Sequence, residues 1–214
     1  MIYILENTDK LEESVIKKYS YVLSEQRKEK INNYGSVRDR INGGIVYMLL
    51  RYALINEYSY CHQPVFSFGE HEKPYLSDRG DIFFNMSHCR NAVCCIVSDS
   101  DTAIDITDIR IVKPNIINRV CSDKEKKLVS ESTDPQRSFL RLWTRKECLS
   151  KLSGKGMSEG FKGLTDELPQ AEGLHTAEDE EYIYTYYSPE SEKAVVMHDG
   201  AELLSFFDNC SDTR

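Results

Sequence analysis

Apolar residues recur along this chain with two different periods, and the period switches from stretch to stretch. Ile2, Tyr3, Ile4 and Leu5 form a short apolar run that reads as a strand over residues 2–6. Asp9 followed by Glu12 has the spacing of a capping box and predicts a helix to about Tyr19. Ser24 predicts the cap of a second, highly charged helix. From about Ser36 to Tyr58, Ile41, Ile45, Met48, Leu49, Tyr52 and Ile55 fall at helical spacing and predict the central helix of the first half. Gly43 and Gly44 interrupt that helix, at roughly 1 kcal/mol each against alanine. A tight contact with a neighbouring helix or sheet would explain them.

The pattern then shortens. Strands are expected at about Val65–Phe68, Ile82–Met86, Ala92–Val97 and Ala103–Thr107. The last three are separated by the turn signals Arg79-Gly80-Asp81, His88–Asn91 and Asp99-Ser100-Asp101, which reads as an antiparallel meander. Beyond it the chain turns helical again. Ser122 with Glu125 opens a short charged helix. Asp134-Pro135 starts a longer one that runs to about Ser153 and stops at Gly154. Glu172–Glu181 is polar and acidic and reads as an exposed loop. Three closing strands are expected near Glu181–Tyr187, Ala194–His198 and Leu203–Phe207, with fraying of the last few residues.

The order helices, strands, helices, strands predicts an α+β fold of two similar lobes. Each lobe has a small, mainly antiparallel sheet packed with a long helix. The lobes are expected at 1–100 and 101–214, without a sequence repeat strong enough to prove duplication.

Composition narrows the function classes. The chain has 214 residues, 40% of them hydrophobic, which suffices for one sizeable core or two small ones. A net charge of −8 disfavours a nucleic-acid or anionic-membrane partner. Arg27, Lys28, Lys30, Arg38 and Arg40 nevertheless cluster, and a local basic patch on an acidic protein suits a small polyanion. A solvated helix face explains any single one of them equally well. The seven cysteines are odd in number and show no CxxC spacing, which supports neither a disulfide framework nor a zinc site. Cys94 and Cys95 lie in an apolar run and read as small core residues. No apolar run approaches the roughly 20 residues that span a bilayer. The start lacks the basic flank of a signal peptide. The expectation is a soluble protein of the reducing cytoplasm.

Candidate chemistry is confined to two segments. Asp105 interrupts an apolar strand, and burying a carboxylate there is costly unless it is paired or metal-bound. Alternation puts Asp105 and Thr107 on one face and Ile104 and Ile106 on the other. A strand-end aspartate facing solvent is the plainer alternative. Glu147 and Lys151 are one turn apart on the helix that begins at Asp134, with Trp143 one turn earlier. They form either an exposed pair worth roughly 0.2–0.5 kcal/mol or part of a site. Hard oxygen donors from a strand and a helix suit Mg²⁺ with a phosphate. Beside such a site Ser87 and His88 become phosphate donors.

Four segments carry a resemblance to a known family. Phe84-Asn85-Met86-Ser87-His88 matches the pattern FNxSH, and Ala103-Ile104-Asp105-Ile106-Thr107 matches GIDIE. Trp143 through Lys151, with Gly154-Lys155-Gly156, matches WxxKEAxxKxxGxG, and Glu72-Lys73-Pro74 matches GKP. The chain thus resembles the 4'-phosphopantetheinyl transferases of the larger, pseudo-dimeric type. The resemblance covers about residues 24–160 and implies that family's fold.

The resemblance also implies a reaction, of the holo-[acyl-carrier-protein] synthase type. The phosphopantetheine arm of coenzyme A moves to a serine of an apo acyl or peptidyl carrier protein, with release of 3',5'-ADP. It serves fatty-acid, polyketide or nonribosomal-peptide synthesis. In this reading Asp105 and Glu147 hold Mg²⁺, with Mn²⁺ as an alternative, and Glu147 helps deprotonate the serine. Lys151 stabilises or protonates the leaving phosphate. Ser87 and His88 contact the coenzyme A phosphates. Lys73 and Arg40 hold the adenine and 3'-phosphate end, with Arg27 and Lys30 as further anchors and Arg38 as an alternative to Arg40. A monomer is implied. The family usually has glutamate, often a third metal ligand, where this chain has Thr107. Asp108 points to the opposite face if the strand continues. A catalytically impaired module that binds coenzyme A or a carrier protein is the alternative reading.

Overall fold

A computed structural model describes residues 1–69, 73–154, 161–162, 164–167, 172–189 and 193–210. The sequence expectations for Glu72, Lys155, Gly156 and residues 211–214 lie outside the described residues.

Strand β1 (Ile2–Leu5) leads into a 3-10 turn at Thr8–Lys10 and helix α1 (Glu13–Lys18). The expected capping box is not formed, since α1 starts later with Glu12 at its N-cap and no side-chain cap bond. Tertiary bonds set this segment instead. The Arg38 guanidinium donates to the carbonyls of Thr8, Asp9 and Leu11 and holds the turn in place. Ser24 caps helix α2 (Glu25–Asn32) by accepting from the Arg27 amide, as expected.

Helix α3 (Val37–Tyr58) is the central helix, capped by Ser36. Its glycines mark close contacts. A Cβ on Gly43 would lie 2.7 Å from the Tyr34 ring, and one on Gly44 would lie 2.5 Å from Ile16 Cδ1. The neighbours are therefore the α1 and α2 segments.

A hairpin of β2 (Phe66–Phe68) and β3 (Pro74–Leu76) precedes β4 (Phe83–His88), β5 (Val93–Ser98) and β6 (Ala103–Asp108). Helices α4 (Pro114–Val120), α5 (Asp123–Glu131) and α6 (Pro135–Ser153) follow, then the short α7 (Leu164–Glu167). The caps of α5 and α6 are those the sequence predicts: a Ser122/Glu125 capping box, and Asp134 before Pro135. Gly154 ends α6 at φ 74°, a left-handed conformation that favours glycine. Strands β7 (Leu174–Glu178), β8 (Tyr182–Tyr187) and β9 (Val195–His198) and helix α8 (Gly200–Asn209) close the described chain.

Two larger sheets result, in the orders β4-β5-β1-β9 and β6-β8-β7. The expected three-stranded meander is broken. β4 and β5 pair antiparallel, but β1 occupies the far side of β5, so β6 pairs with β8 instead. The acidic stretch expected as a loop contains strand β7, which completes the second sheet against β8. The last expected strand is helix α8. Asp199 accepts from the Glu202 amide at its start, and Leu203 and Phe207, four apart, bury one face. The boundary at residue 100 also fails at the C-terminal end. β9 pairs parallel with β1, and Leu203 and Phe207 join the core of the first lobe.

The fold is α+β in four layers, helix–sheet–sheet–helix. Alternation along β1 sends Tyr3 and Leu5 toward α3 and Ile2 and Ile4 toward the second sheet. Ile2, Ile4, Cys94 and Ile96 meet Ile104, Ile106, Tyr182 and Tyr186 in one buried cluster that joins the sheets. Each such aliphatic side chain contributes roughly 1.5–3 kcal/mol on full burial. On the outer side of the second sheet, Phe139, Leu140 and Leu142 of α6 pack with Ile183. Among the described residues, no helix is long and apolar enough to cross a membrane.

Candidate active site

The site lies where β4 and β6 run side by side. They share no ladder; side chains bridge them. The amide of Ile104 donates to Asn85 Oδ1 (3.3 Å) and that of Ile106 to Ser87 Oγ (3.4 Å). The FNxSH segment thus fastens one lobe to the other. Asp105 lies between these two amides on the face opposite Ile104 and Ile106, as alternation predicts.

Helix α6 brings Glu147 and Lys151 to the same place. Lys151 Nζ lies 2.7 Å from Asp105 Oδ1, 2.8 Å from Ser87 Oγ and 3.1 Å from the Ile104 carbonyl. Ser87 Oγ donates to the same Asp105 oxygen at 2.8 Å. The solvent-facing alternatives for Asp105 and for a bare Glu147–Lys151 pair do not hold, because Asp105 is 6% exposed and its partner is Lys151. Burial opposes the Lys151 ammonium, but the charge and hydrogen bond of Asp105 outweigh it, so the lysine pKa stands above its ordinary value. Glu147 accepts no hydrogen bond among the described residues. Burial first, and the Asp105 charge second, raise its carboxyl above the ordinary range, against the pull of Lys151.

Two cavities meet here and share Glu147 and His88. The first, about 380 Å³, is basic: Arg27, Lys30, Lys73 and Lys151 line it together with Ser87. The second, about 500 Å³, holds Asp105, Thr107, Asp108 and Trp143. Burial pushes the His88 imidazole below the ordinary histidine value, which leaves a neutral ring between the cavities at neutral pH.

The basic residues divide in a way the sequence does not reveal. Arg27 is buried, donates from Nε and Nη2 to the Gly43 carbonyl (2.9 and 2.5 Å) and lies over the Tyr47 ring. Burial lowers its pKa, yet a guanidinium keeps its charge. Lys73 ties the β3 hairpin to the β5–β6 turn through Asp101 (2.6 Å) and to α6 through the Leu152 carbonyl (3.1 Å). Arg40 does not line either cavity. It pairs with Glu13 at 3.1 Å and with the Tyr34 carbonyl, so it braces α3 against α1. Arg38 lines the second cavity rather than the basic one.

Sequence reading missed Lys146, the neighbour of Glu147. It is fully buried and donates to Glu125 (2.7 Å) and to the carbonyls of Val120 (2.6 Å) and Phe161 (2.8 Å). It fixes the back of α6, while Phe161 meets Trp143 edge to face. The Glu125 of the capping box was the visible half of that pair.

Asp105 and Glu147 together suit a hard divalent cation. Both offer carboxylate oxygens, and their mutual repulsion is what a cation relieves. Among the described residues no group of three or more His, Cys, Asp or Glu side chains could hold a metal. Thr107 lines the same cavity as Asp105 and offers a hydroxyl in place of a carboxylate.

The site is a basic cavity beside an acid–lysine cluster, set in an α+β fold. Comparisons with known proteins show one consistent likeness. The model of the 4'-phosphopantetheinyl transferase superfamily matches residues 102–201, which include Asp105, Glu147 and Lys151. The chain is 31% identical over 126 residues to the 4'-phosphopantetheinyl transferase psf-1 of Bacillus pumilus, covering 58% of this chain and 54% of that one. It is 28% identical over 171 residues to gsp of Aneurinibacillus migulanus (78% and 71%). To Sfp of Bacillus subtilis strain 168 it is 29% identical over 139 residues (64% and 62%). The matches thus span from about half to about seven tenths of these relatives' lengths. The chain is thus similar to the 4'-phosphopantetheinyl transferase superfamily, by the model match over residues 102–201 and by these relatives.

Proposed function

We propose that this protein transfers the 4'-phosphopantetheine arm of coenzyme A to a serine hydroxyl of an apo carrier protein. The single observation that carries the reading is the convergence of Asp105, Glu147, Lys151 and Ser87 at the junction of the two cavities, one of them basic. A nucleotide with three phosphates needs cations along one wall, and Arg27, Lys30, Lys73 and Lys151 supply them. The acceptor hydroxyl needs access from the other side, through the second cavity.

The serine oxygen attacks the phosphorus that bears the pantetheine arm. A new P–O bond forms there, the bond to the other phosphate breaks, and 3',5'-ADP leaves. Glu147 takes the serine proton from its place at the junction of the two cavities. Lys151 stays charged and neutralises the leaving phosphate, since Asp105 holds its pKa up. Ser87 and the neutral ring of His88 orient phosphate oxygens. Asp105 and Glu147 would hold Mg²⁺, or Mn²⁺ in its place. The cation supplies neutralisation of the pyrophosphate charge.

Because the two lobes of one chain line both cavities, the protein is proposed to act as a monomer, in the cytoplasm, where its seven cysteines stay reduced. Thr107 in place of a third carboxylate favours a second reading, a module that binds coenzyme A without transfer. Incubation with coenzyme A, a divalent cation and an apo carrier separates them: product formation supports transfer, and tight coenzyme A binding without product supports the module.

A further inference from the structure

The His88 ring lines both cavities but makes no hydrogen bond of its own among the described residues. Its place is set by backbone alone: His88 ends β4, paired with Val93 of β5, and the turn of residues 89–91 follows it directly. That backbone is gripped from both lobes. Asn42 of α3, fully buried, donates from Nδ2 to the carbonyls of Cys89 (2.7 Å) and Arg90 (3.2 Å). Asp108 of β6 accepts the Arg90 amide with both carboxylate oxygens, each at 3.0 Å. The amide of Thr8 takes the Asn91 carbonyl at 2.9 Å.

The two side chains divide one residue between them. The N–H of Arg90 goes to the second lobe and its carbonyl to the first. Asn42 commits both amide donors to this turn even though its Oδ1 is buried without a partner among the described residues. An unmet acceptor costs about 1–3 kcal/mol, so the turn contacts are what that side chain supplies. Asp108 does so because β6 ends there. Its carboxylate reaches across to the turn and lines the second cavity with Asp105. Alternation alone would turn it away.

We infer that Asn42 and Asp108 are positioning residues: they clamp the Cys89–Arg90 backbone and thereby set the His88 ring between the two cavities. The inference rests on reading His88 as a contact to the coenzyme A phosphates. Removing one clamp should loosen His88 and weaken coenzyme A binding without touching the ligand.

The test measures coenzyme A binding by calorimetry for the wild type, Asp108→Ala, Asp108→Asn, His88→Ala and the double variant His88→Ala/Asp108→Ala. Asp108 sits at a part-exposed strand end, so these variants keep the core; Asn42→Ala serves as a second probe after a check of its melting curve. Loss of a charge-assisted bond predicts about tenfold weaker binding in Asp108→Ala. Asp108→Asn retains an acceptor and should stay within about threefold of wild type. The double variant should bind no more weakly than His88→Ala, a non-additivity that a merely structural effect would not give. Unchanged binding in Asp108→Ala, or a full additive loss in the double variant, overturns the inference. If the wild type binds no coenzyme A, the reading of the site fails. The clamp is then decided by hydrogen exchange at the Arg90 amide. Faster exchange in Asp108→Ala but not in Asp108→Asn upholds it, and equal exchange in all three overturns it.

Discussion

Lys151 Nζ lies 2.7 Å from Asp105 Oδ1, an ion pair that joins the last turns of α6 to the middle of β6. The pair holds the lysine charged against its burial. Replacing Asp105 by Asn leaves burial unopposed by its main partner, so the Lys151 pKa should fall. A lysine whose native value is raised adds stability below its unfolded value, and that contribution is lost as pH rises through the native one. Asp105→Asn should therefore lose stability at neutral pH and keep less of the difference in strong alkali. Denaturation curves at several pH values check this. Equal stability of the two proteins at neutral pH would count against the pair.

Glu147 shifts in the same direction, but here the charged form is the disfavoured one. Burial and the Asp105 charge raise its carboxyl, so in metal-free protein the ionised form is a burden. Such a group adds stability only at low pH and loses that contribution as pH rises through its native value. Glu147→Gln should raise the melting temperature at neutral pH by about 2–4 °C, the shift that 1 kcal/mol gives in a chain of this size. The same change should lower turnover by at least about 100-fold. A melting temperature below wild type would contradict this account.

Much of the site was legible because its chemistry sits in contiguous segments. Asp105 stood out as a carboxylate in an apolar strand, and Glu147 and Lys151 as residues one turn apart on a well-capped helix. What connects them was not legible. The β4–β6 contact runs through Asn85 and Ser87 side chains, which leave no periodic signal. Arg40 looked like an anchor from its place in a basic run, but rotation around α3 turns it toward Glu13. Strand alternation stops being a guide at a strand end, which is why Asp108 was read as facing away. Helix α8 was mistaken for a strand because its apolar residues are clustered, although Asp199 and Glu202 carried a capping signal.

Gly43 admits two cavity residues at once. Its lack of a side chain lets the Tyr34 ring lie against α3, and its carbonyl receives Arg27. Gly43→Ala gains roughly 1 kcal/mol in helix propensity but pushes a Cβ to 2.7 Å from that ring. Overpacking of this kind costs about 1–3 kcal/mol. The expected outcome is weaker coenzyme A binding with little net change in stability, read by calorimetry and thermal melting. Unaltered affinity would show that Tyr34 and Arg27 do not shape the ligand wall.

Lys146 and Glu125 test the scaffold apart from the chemistry. Lys146→Met leaves the Glu125 carboxylate buried with only the Thr165 hydroxyl and the Ser122 amide for partners. Breaking a buried pair from one side typically costs about 3–5 kcal/mol. Urea denaturation should show a loss of that order, and a loss below about 1 kcal/mol would contradict the buried-pair description.

The most direct test of the transferase reading is the intact mass of an apo acyl or peptidyl carrier protein after incubation with this protein, coenzyme A and Mg²⁺, beside an EDTA control. The account predicts a gain of one phosphopantetheine arm that is lost with EDTA and in Asp105→Ala, Glu147→Ala and Lys151→Ala. No gain with any carrier, with Mg²⁺ or Mn²⁺, would contradict it, as would normal turnover by any of those variants.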